Sequence, residues 1–323
     1  MSETLLLEDF IPDDSSGMRL DQALAQLFPD YSRGQLTKWI KAGFVTVDKQ
    51  QFRPRDSVLG GEHVIINAQI EAVDDTWIAE DIKLDIIHED EDILIINKEA
   101  GMVVHPGAGN HNGTLVNALL SHAPELEIIP RAGIVHRIDK GTTGLLMIAK
   151  TLQAHNSLVN QLQERSVDRE YQAIAMGVMT AGGTVDQPMG RHPIERKRMA
   201  VTSSGKTAIT HYRVVQRYRA HTHIRCKLET GRTHQIRVHM AHIRYPLFGD
   251  PVYGGRLRLP KNSTEEFRNA LQAFRRQALH AGSLGFIHPG SGEAVSWQVE
   301  MPDDMLNILA ALAKDQRLNR DEK

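Results

Sequence analysis

The spacing of apolar residues predicts two short helices near the start of the chain. In the first helix they recur at i, i+4 and i+7, on one face, at Leu20, Leu24 and Leu27. The second helix begins after Ser32, a suitable N-cap, and strands follow at 44–47 and 63–67. Residues 1–17 are acidic and contain turn-forming residues, so we expect them to be flexible.

Beyond residue 80 the pattern predicts short strands with helices between them. The run 145–149 is apolar throughout, which is typical of a buried strand, whereas 169–178 and 222–228 alternate and predict strands with one polar face. Helices are expected to begin at Thr151, at Thr233, at a capping box of Ser263 and Glu266, and at Asp303 or Asp304. Without regular βαβ alternation, this order predicts an α+β fold with a mainly antiparallel sheet.

Composition narrows the class of protein. The 323 residues are 41% apolar and 24% charged, as in an ordinary globular protein with room for more than one domain. One cysteine, Cys226, excludes a disulfide framework and a cysteine-based zinc site. No run approaches the roughly 20 apolar residues of a membrane span, and the acidic N-terminus lacks the basic start of a signal peptide. We expect a cytoplasmic protein that has no membrane partner.

Charge is distributed unevenly along the chain. The net charge is only −2, but residues 69–92 carry ten acids and one lysine, while 189–244 carry thirteen Lys/Arg and two acids. Clustered positive charge is typical of phosphate binding, so the second segment predicts a nucleic-acid surface. The alternative is a solvated basic face that binds nothing specific. The acidic segment is interpreted as a linker between two basic regions.

Asp139 is the first candidate for chemistry. It lies between Arg137 and Lys140, and a turn-like Gly141-Thr142-Thr143-Gly144 leads from it into the buried strand. A carboxylate flanked by cations is suited to nucleophilic attack or to stabilising a cation. The alternative is an ordinary surface ion pair.

The segment 228–237 is the second candidate. Arg232 precedes the expected helix start at Thr233, and Arg237 lies one turn inside that helix. Free N–H groups at a helix start attract anions, so the segment could receive a phosphate or neutralise a buried carboxylate. Plain helix capping with surface arginines is the alternative. The nearby histidines lack a third ligand with a supporting carboxylate, so no metal is expected.

Two resemblances add to these interpretations. The segment MRLDQALAQLFPDYSRGQLTKWIKAGFVTVD resembles an S4 domain, a small RNA-binding module, over about residues 18–80. HRIDKGTTGLLMIAK, REYQAIAMG and LETGRTHQIRVHM resemble, in the expected order, the motifs of RluA-type pseudouridine synthases. This match covers about residues 80–300 and implies a catalytic domain at 81–315 with a tail at 316–323. Gly141 departs from the family, whose members commonly have a polar residue there, and is expected to loosen the turn.

The second resemblance implies the roles of individual residues. Asp139 would be the essential residue, Tyr171 would stack on the target base, and Arg232 would pair with Asp139. The site would be supported further by Leu228, His136 and Arg137. The residues expected to bind RNA are Arg33, Lys38, Lys41, Arg191, Arg196, Lys197, Arg198, Arg225, Lys227, Gln235 and Arg237.

The implied activity is the isomerisation of specific uridines to pseudouridine in large-subunit (23S) ribosomal RNA or its precursor particle, in support of ribosome assembly. It would need neither cofactor nor metal, and we expect a monomer. Two alternatives remain open. One is a synthase for other rRNA positions or for tRNA, and the other is an RNA-binding assembly factor whose catalysis is incidental.

Overall fold

A computed structural model describes residues 3–28, 31, 33–70, 77–107, 110–195, 198–257 and 259–319. The chain forms two compact units, residues 1–76 and 77–323. The sequence resemblances predict the boundary between the two domains slightly later, between residues 80 and 81. Each unit has its own buried apolar core.

The first unit pairs two helices with a three-stranded antiparallel sheet. Leu20 and Leu24 from the first helix and Leu36 from the second are fully buried in its core, as the helical spacing predicts. The N-cap expected at Ser32 lies outside the described residues. The elements are β1 (Glu3–Phe10), α1 (Leu20–Leu27), α2 (Arg33–Lys41), β2 (Val45–Val47) and β3 (His63–Ile70).

The prediction that residues 1–17 are flexible was wrong for residues 3–17, the part of this segment that the structure describes. β1 pairs antiparallel with β3 along eight residues, from Glu3 opposite Ile70 to Phe10 opposite His63. Ile11, which follows the strand, is 1% exposed. The acidic residues of β1 suggested disorder, but strand pairing depends on a partner some sixty residues away, which local composition does not reveal.

The second unit contains eleven strands in its described residues. They are β4 (Ile86–Glu89), β5 (Ile93–Lys98), β6 (Thr143–Ala149), β7 (Asp168–Met176), β8 (Gly183–Asp186), β9 (Met189–Arg191), β10 (Met199–Val201), β11 (Ile209–Arg217), β12 (His221–Leu228), β13 (Leu279–Ile287) and β14 (Ala294–Gln298). Nine of them form one sheet in the order β4-β5-β6-β13-β7-β12-β11-β8, with β14 paired to β13. Within this sheet only β6 and β13 are parallel, so the expected α+β fold with a mainly antiparallel sheet is confirmed. β9 and β10 form a separate antiparallel pair.

Helices cover this sheet, and their ends differ in detail from the predictions. They are α3 (Leu115–His122), α4 (Leu152–Gln163), α5 (Gln235–His242), α6 (Glu265–Ala273) and α7 (Asp303–Leu318). Thr151 caps α4 as expected, by accepting a hydrogen bond from the Ala154 amide. The cap of α6 is Thr264, because the Ser263 hydroxyl donates to the Pro260 carbonyl instead.

α5 and α7 also differ from the predictions. α5 begins at Gln235, two residues later than expected, because His234 has a left-handed φ of 60°. α7 continues to Leu318, so the tail predicted from residue 316 is helical at its start. Asp315 of α7 is buried and accepts from Arg219.

The two faces of β7 and β12 have different roles. Tyr171 pairs with Cys226 in register, and both side chains lie on the face that carries Leu228. Arg225 and Lys227 alternate with these residues and are exposed on the opposite face. No helix in the described part of the chain is long and apolar enough to cross a membrane.

Candidate active site

Asp139 lies in a tight turn immediately before β6. The Thr142 amide donates to the Asp139 carbonyl at 2.9 Å, which closes the turn. Every residue of β6 is buried, so the strand provides a rigid base for this turn. His136 ties the preceding segment to β6, since its Nε2 accepts from the Met147 amide at 3.2 Å. Burial, assisted by Arg169, lowers the pKa of His136 to about 3, which keeps it a neutral acceptor.

Gly141 does not loosen this turn, contrary to the expectation. Its carbonyl accepts from Arg276 at 3.1 Å. A side chain at this position would place its Cβ 2.7 Å from the Gln277 amide oxygen, and Gln277 in turn donates to the Thr142 hydroxyl at 2.9 Å. The absence of a side chain therefore lets Gln277 pack against the turn and hold it.

A cavity of about 520 Å³ opens over the turn. The residues predicted to form the site lie around it, although they come from distant parts of the sequence. They are Asp139, Tyr171, Leu228, His136, Arg137 and Arg232. Tyr171 is 6% exposed, and burial raises the pKa of its hydroxyl, so it is protonated at neutral pH.

Arg237, and not Arg232, forms the ion pair with Asp139. Arg237 Nη1 lies 2.8 Å from Asp139 Oδ2, whereas Arg232 Nε donates to the Thr207 carbonyl at 3.1 Å. The late start of α5 explains this correction, because it leaves Arg232 in the exposed loop and places Arg237 on the buried side of the helix. Arg237 is 4% exposed and lines the cavity, so it holds Asp139 from inside the protein, and that it also binds RNA stays a prediction.

Asp250 holds Arg237 from the other side. Arg237 Nε and Nη2 donate to its two carboxylate oxygens at 2.7 and 2.9 Å, and the Val252 and Tyr253 amides also donate to Oδ1. Burial acts to raise the pKa of Asp250, but the hydrogen bonds from Arg237 and these amides overcome it and lower the pKa. Burial likewise opposes the charge on Arg237, yet the two carboxylates raise its pKa. The chain Asp139–Arg237–Asp250 is therefore a fixed network of charges.

Tyr253 and His234 extend this network, and sequence patterns did not indicate a role for either. The Arg237 guanidinium lies 5.0 Å from the centre of the Tyr253 ring. The Tyr253 hydroxyl is 2.9 Å from His234 Nδ1, and His234 Nε2 is 3.9 Å from Asp139 Oδ1. Burial lowers the pKa of His234, although Asp139 opposes this effect.

The sequence patterns also gave no indication that Lys98, at the end of β5, has a role in the site. It lies in an apolar strand, where a lysine is normally at the surface, but it is 2% exposed. Its Nζ donates to the carbonyls of Glu99, Met102 and Lys140, at 2.6, 3.0 and 3.4 Å. Burial lowers its pKa to about 8, partly offset by the charge of Asp139. Lys98 therefore supports the backbone directly after Asp139.

The residues expected to bind RNA fall into several groups. Lys38, Lys41 and Arg191 are exposed, and the half-exposed Arg33 pairs with Asp21 at 2.8 Å. Arg198 pairs with Glu195 at 3.1 Å. Arg196 and Lys197 lie outside the described residues.

Three further candidates lie on β12 and at the start of α5. Arg225 and Lys227 are exposed on the polar face of the strand, as the alternation predicts, and they pair with Glu170 and Asp168 on the side away from the cavity. Gln235 is 3% exposed, and its amide nitrogen donates to the Ile209 carbonyl and the Thr210 hydroxyl. It therefore positions the loop before α5 instead of presenting a donor to RNA.

The described residues contain no group of three or more histidine, cysteine, aspartate or glutamate side chains arranged to hold a metal ion. The histidines in α5 and directly before it are His234, His239 and His242. His239 is 2.9 Å from the Thr210 hydroxyl and 3.0 Å from the Gln187 carbonyl. His239 is therefore engaged in internal hydrogen bonds.

Comparison with known proteins identifies the family and the fold. The sequence model of the RNA pseudouridylate synthase family matches residues 92–242, which include Asp139, Tyr171 and Arg237, and the S4 domain model matches residues 18–64. Ribosomal large subunit pseudouridine synthase D of Pseudomonas aeruginosa is 54% identical over 98% of both chains. The protein of the same name from Escherichia coli is 52% identical over 100% of this chain and 99% of its own. The chain belongs to the RNA pseudouridylate synthase family. It is therefore an isomerase that converts uridine to pseudouridine.

Two solved human structures have the same fold. RNA pseudouridylate synthase domain containing 1 matches 69% of this chain and 86% of its own, with a TM-score of 0.53. Domain containing 4 matches 71% and 92%, with a TM-score of 0.55. Each is 24% identical in sequence to this chain, so these matches support the fold alone.

Proposed function

We propose that this pseudouridine synthase modifies uridines of large-subunit ribosomal RNA. The relatives named as ribosomal large subunit synthases match nearly the whole chain, including the S4 domain. The observation that carries the assignment of the site is the Asp139–Arg237 ion pair in the cavity that Tyr171 lines. The Asp139 side chain is 15% exposed, so a nucleotide can reach its carboxylate, and the ion pair with the buried Arg237 fixes the direction of that carboxylate.

Asp139 acts on the ribose of the target nucleotide. Two routes suit an ionised carboxylate at this point. It attacks the ribose carbon that carries the base, with uracil as the leaving group, or it removes a sugar proton and a glycal forms as uracil departs. In the first route a carbon of the turned uracil displaces Asp139 from the ribose, and in the second that carbon adds to the glycal while Asp139 returns the sugar proton. In both routes the uracil carbon then loses its proton and the uracil nitrogen that left the sugar gains one, so the net reaction is an isomerisation.

Tyr171 provides the surface on which the base stacks. Its ring is buried in the cavity wall, and aromatic side chains stack readily on bases that have left the helix. Extruding a uridine costs a few kcal/mol, least where it is already unpaired. The exposed cations of α2 and of β9 supply sequence-independent contacts to phosphates.

Pseudouridine mapping tests the proposal. Large-subunit rRNA from a strain that lacks the gene is compared with RNA from the same strain expressing the wild type or Asp139→Asn. We expect modification to return only with the wild type. Asp168→Asn is the control, because it makes the same chemical change at an exposed carboxylate that faces away from the cavity. Modification restored by Asp139→Asn would overturn the role of Asp139, and unchanged rRNA with a modified tRNA would overturn the substrate.

The same strains separate catalysis from a role in ribosome assembly. If Asp139→Asn restores normal subunit profiles without restoring modification, the protein also acts as an assembly factor. We further propose that the protein works in the cytoplasm and that it acts as a monomer. Sedimentation of the purified protein tests the monomer, and a mass of two chains would contradict it.

A further inference from the structure

Arg169 is a buried cation that the proposed mechanism does not use. It precedes Tyr171 by two residues on β7, so both side chains lie on the same face of the sheet, and both line the cavity. Arg169 is 6% exposed. Its Nη2 is 3.5 Å from the Glu229 carbonyl, and its Nε has no hydrogen-bond partner among the described residues.

A buried guanidinium normally has a carboxylate partner, because desolvation of an unpaired charge is costly. Arg237, in the same cavity, has two. Arg169 instead lines the cavity together with Tyr171 and a second cation, Arg232, and burial together with the charge of Arg232 lowers the pKa of Arg169. Arginine nevertheless remains protonated in proteins. Two positive charges therefore face one cavity.

The nearest carboxylate is directed elsewhere. Glu229 presents only its backbone carbonyl to Arg169, while its side-chain oxygens pair with His211 at 2.7 Å and Arg165 at 3.2 Å. The loop also leaves room for the guanidinium, since a Cβ at Gly231 would lie 2.7 Å from Arg169 Nη1. The local structure thus accommodates an uncompensated arginine.

Arg232 completes the arrangement at the cavity mouth. It is exposed, and Gln235 fixes its backbone by accepting from the Arg232 amide at 3.0 Å. Its Nε donates to the Thr207 carbonyl, which orients the terminal nitrogens. Paired guanidinium groups bind phosphate oxygens in a fixed geometry.

We propose that Arg169 and Arg232 together bind a phosphodiester of the RNA backbone next to the target uridine. This inference rests on the proposed function. A bound nucleotide brings two sources of negative charge into the cavity, its phosphates and the uracil that is released. The phosphate suits the site better, because Arg232 lies at the exposed mouth, where the backbone of an extruded nucleotide must leave the cavity.

The test uses the full-length protein and a fragment of large-subunit rRNA that the wild type modifies. In a second version of the RNA, an uncharged methylphosphonate replaces one phosphate flanking the target, on either side in turn. Single-turnover rates measured over a range of protein concentrations give both the RNA affinity and the rate of the chemical step. The proteins are the wild type, Arg169→Gln, Arg232→Gln and, as a control, Arg213→Gln, which removes an exposed arginine from the opposite face of the sheet.

Arg169→Gln is expected to weaken RNA binding about 10- to 100-fold, as for other charge-assisted hydrogen bonds, and to reduce the salt dependence by about one phosphate contact. A methylphosphonate at one of the two positions should weaken RNA binding by the wild type by a similar factor. The same substitution should have little further effect on RNA binding by Arg169→Gln or Arg232→Gln. Arg213→Gln should keep the full sensitivity to that methylphosphonate.

Three results would overturn the inference. In the first, wild-type affinity is insensitive to both methylphosphonates. In the second, Arg169→Gln loses rate but not affinity, which assigns the charge to the released uracil. In the third, the fold-losses of RNA affinity caused by Arg169→Gln and by the methylphosphonate multiply, which means that the arginine and the phosphate do not contact each other. If Arg169→Gln does not fold, the wild type and Arg232→Gln decide the question. Failure of the wild type to modify unaltered rRNA would instead contradict the proposed function.

Discussion

Asp139 and Asp250 do not touch, but they share the guanidinium of Arg237, at 2.8 Å from the first and 2.7 Å from the second. Asp250 has no exposed side-chain surface, whereas the Asp139 side chain is 15% exposed to the cavity. The buried carboxylate therefore has no access to a nucleotide. Its effect on the reaction must come through the position of Arg237.

Asp250→Asn is expected to lower kcat about 10- to 100-fold, the equivalent of one or two charge-assisted hydrogen bonds. Asparagine keeps the shape but loses the charge that holds Arg237, so Asp139 becomes less fixed. RNA affinity should change little. Asp315→Asn is the control, because Asp315 is equally buried and pairs with Arg219 away from the cavity. Equal kcat values for the two variants, measured below their melting temperatures, would contradict a positioning role for Asp250.

Because Lys98 is buried, we expect the free energy of unfolding to rise at alkaline pH. The pKa of Lys98 is about 8 in the folded protein, against 10.5 for an unperturbed lysine. Between these values the unfolded chain keeps a proton that the folded chain has released, so the free energy of unfolding rises with pH. The gain is at most about 3 kcal/mol. Urea unfolding from pH 7 to 10.5 should show this rise in the wild type and not in Lys98→Met, and parallel curves would contradict it.

Gly144 lies where β6 pairs with β13, and adding one methyl group there is expected to destabilise the fold strongly. Its φ is +113°, and a Cβ would lie 2.2 Å from the Ala281 carbonyl oxygen. Gly144→Ala is expected to lower the free energy of unfolding by at least about 3 kcal/mol, from backbone strain plus the clash. Gly101→Ala provides the comparison, since its φ is +92° but a Cβ there meets no atom within 4 Å. Similar losses in urea unfolding for the two variants would contradict the role of the clash.

His221 predicts a loss of stability in acid. It is 1% exposed, neither ring nitrogen has a hydrogen-bond partner among the described residues, and burial lowers its pKa to about 4. Between pH 6.5 and 4 His221 is protonated in the unfolded chain but not in the folded chain, so the free energy of unfolding falls as the pH falls. His221→Leu should flatten this fall by up to about 3 kcal/mol. His242→Gln is the control, because it removes an exposed imidazole, and an equal flattening in the two variants would contradict the role of burial at His221.

The sequence predicted those parts of the fold and the site that depend on local patterns. The alternation of β7 and β12 correctly indicated which residues share a face with Tyr171, and the charged turn before β6 indicated Asp139. The choice between Arg232 and Arg237 depended on where α5 begins. That start depends on the backbone of His234, which no side-chain pattern specifies.

Lys98 and β1 could not be predicted, because both depend on contacts between distant segments. The burial of Lys98 is compensated by carbonyls that include Lys140, forty-two residues away. The ladder between β1 and β3 joins residues about sixty positions apart. In each case the long-range partner outweighs the local preference for solvent or disorder.

The position of β1 changes where the RNA-binding module begins. The S4 match starts at residue 18, and a chain shortened to that point would lose the whole of β1. β3, now flanked by β1 and β2, would become an outer strand with eight residues open along one side. Exposed strand edges of this kind recruit other chains. In the full chain the outer strand is β1, whose charged residues, such as Glu8 and Asp9, make its open edge a poorer partner for another chain than the mostly apolar β3 would be.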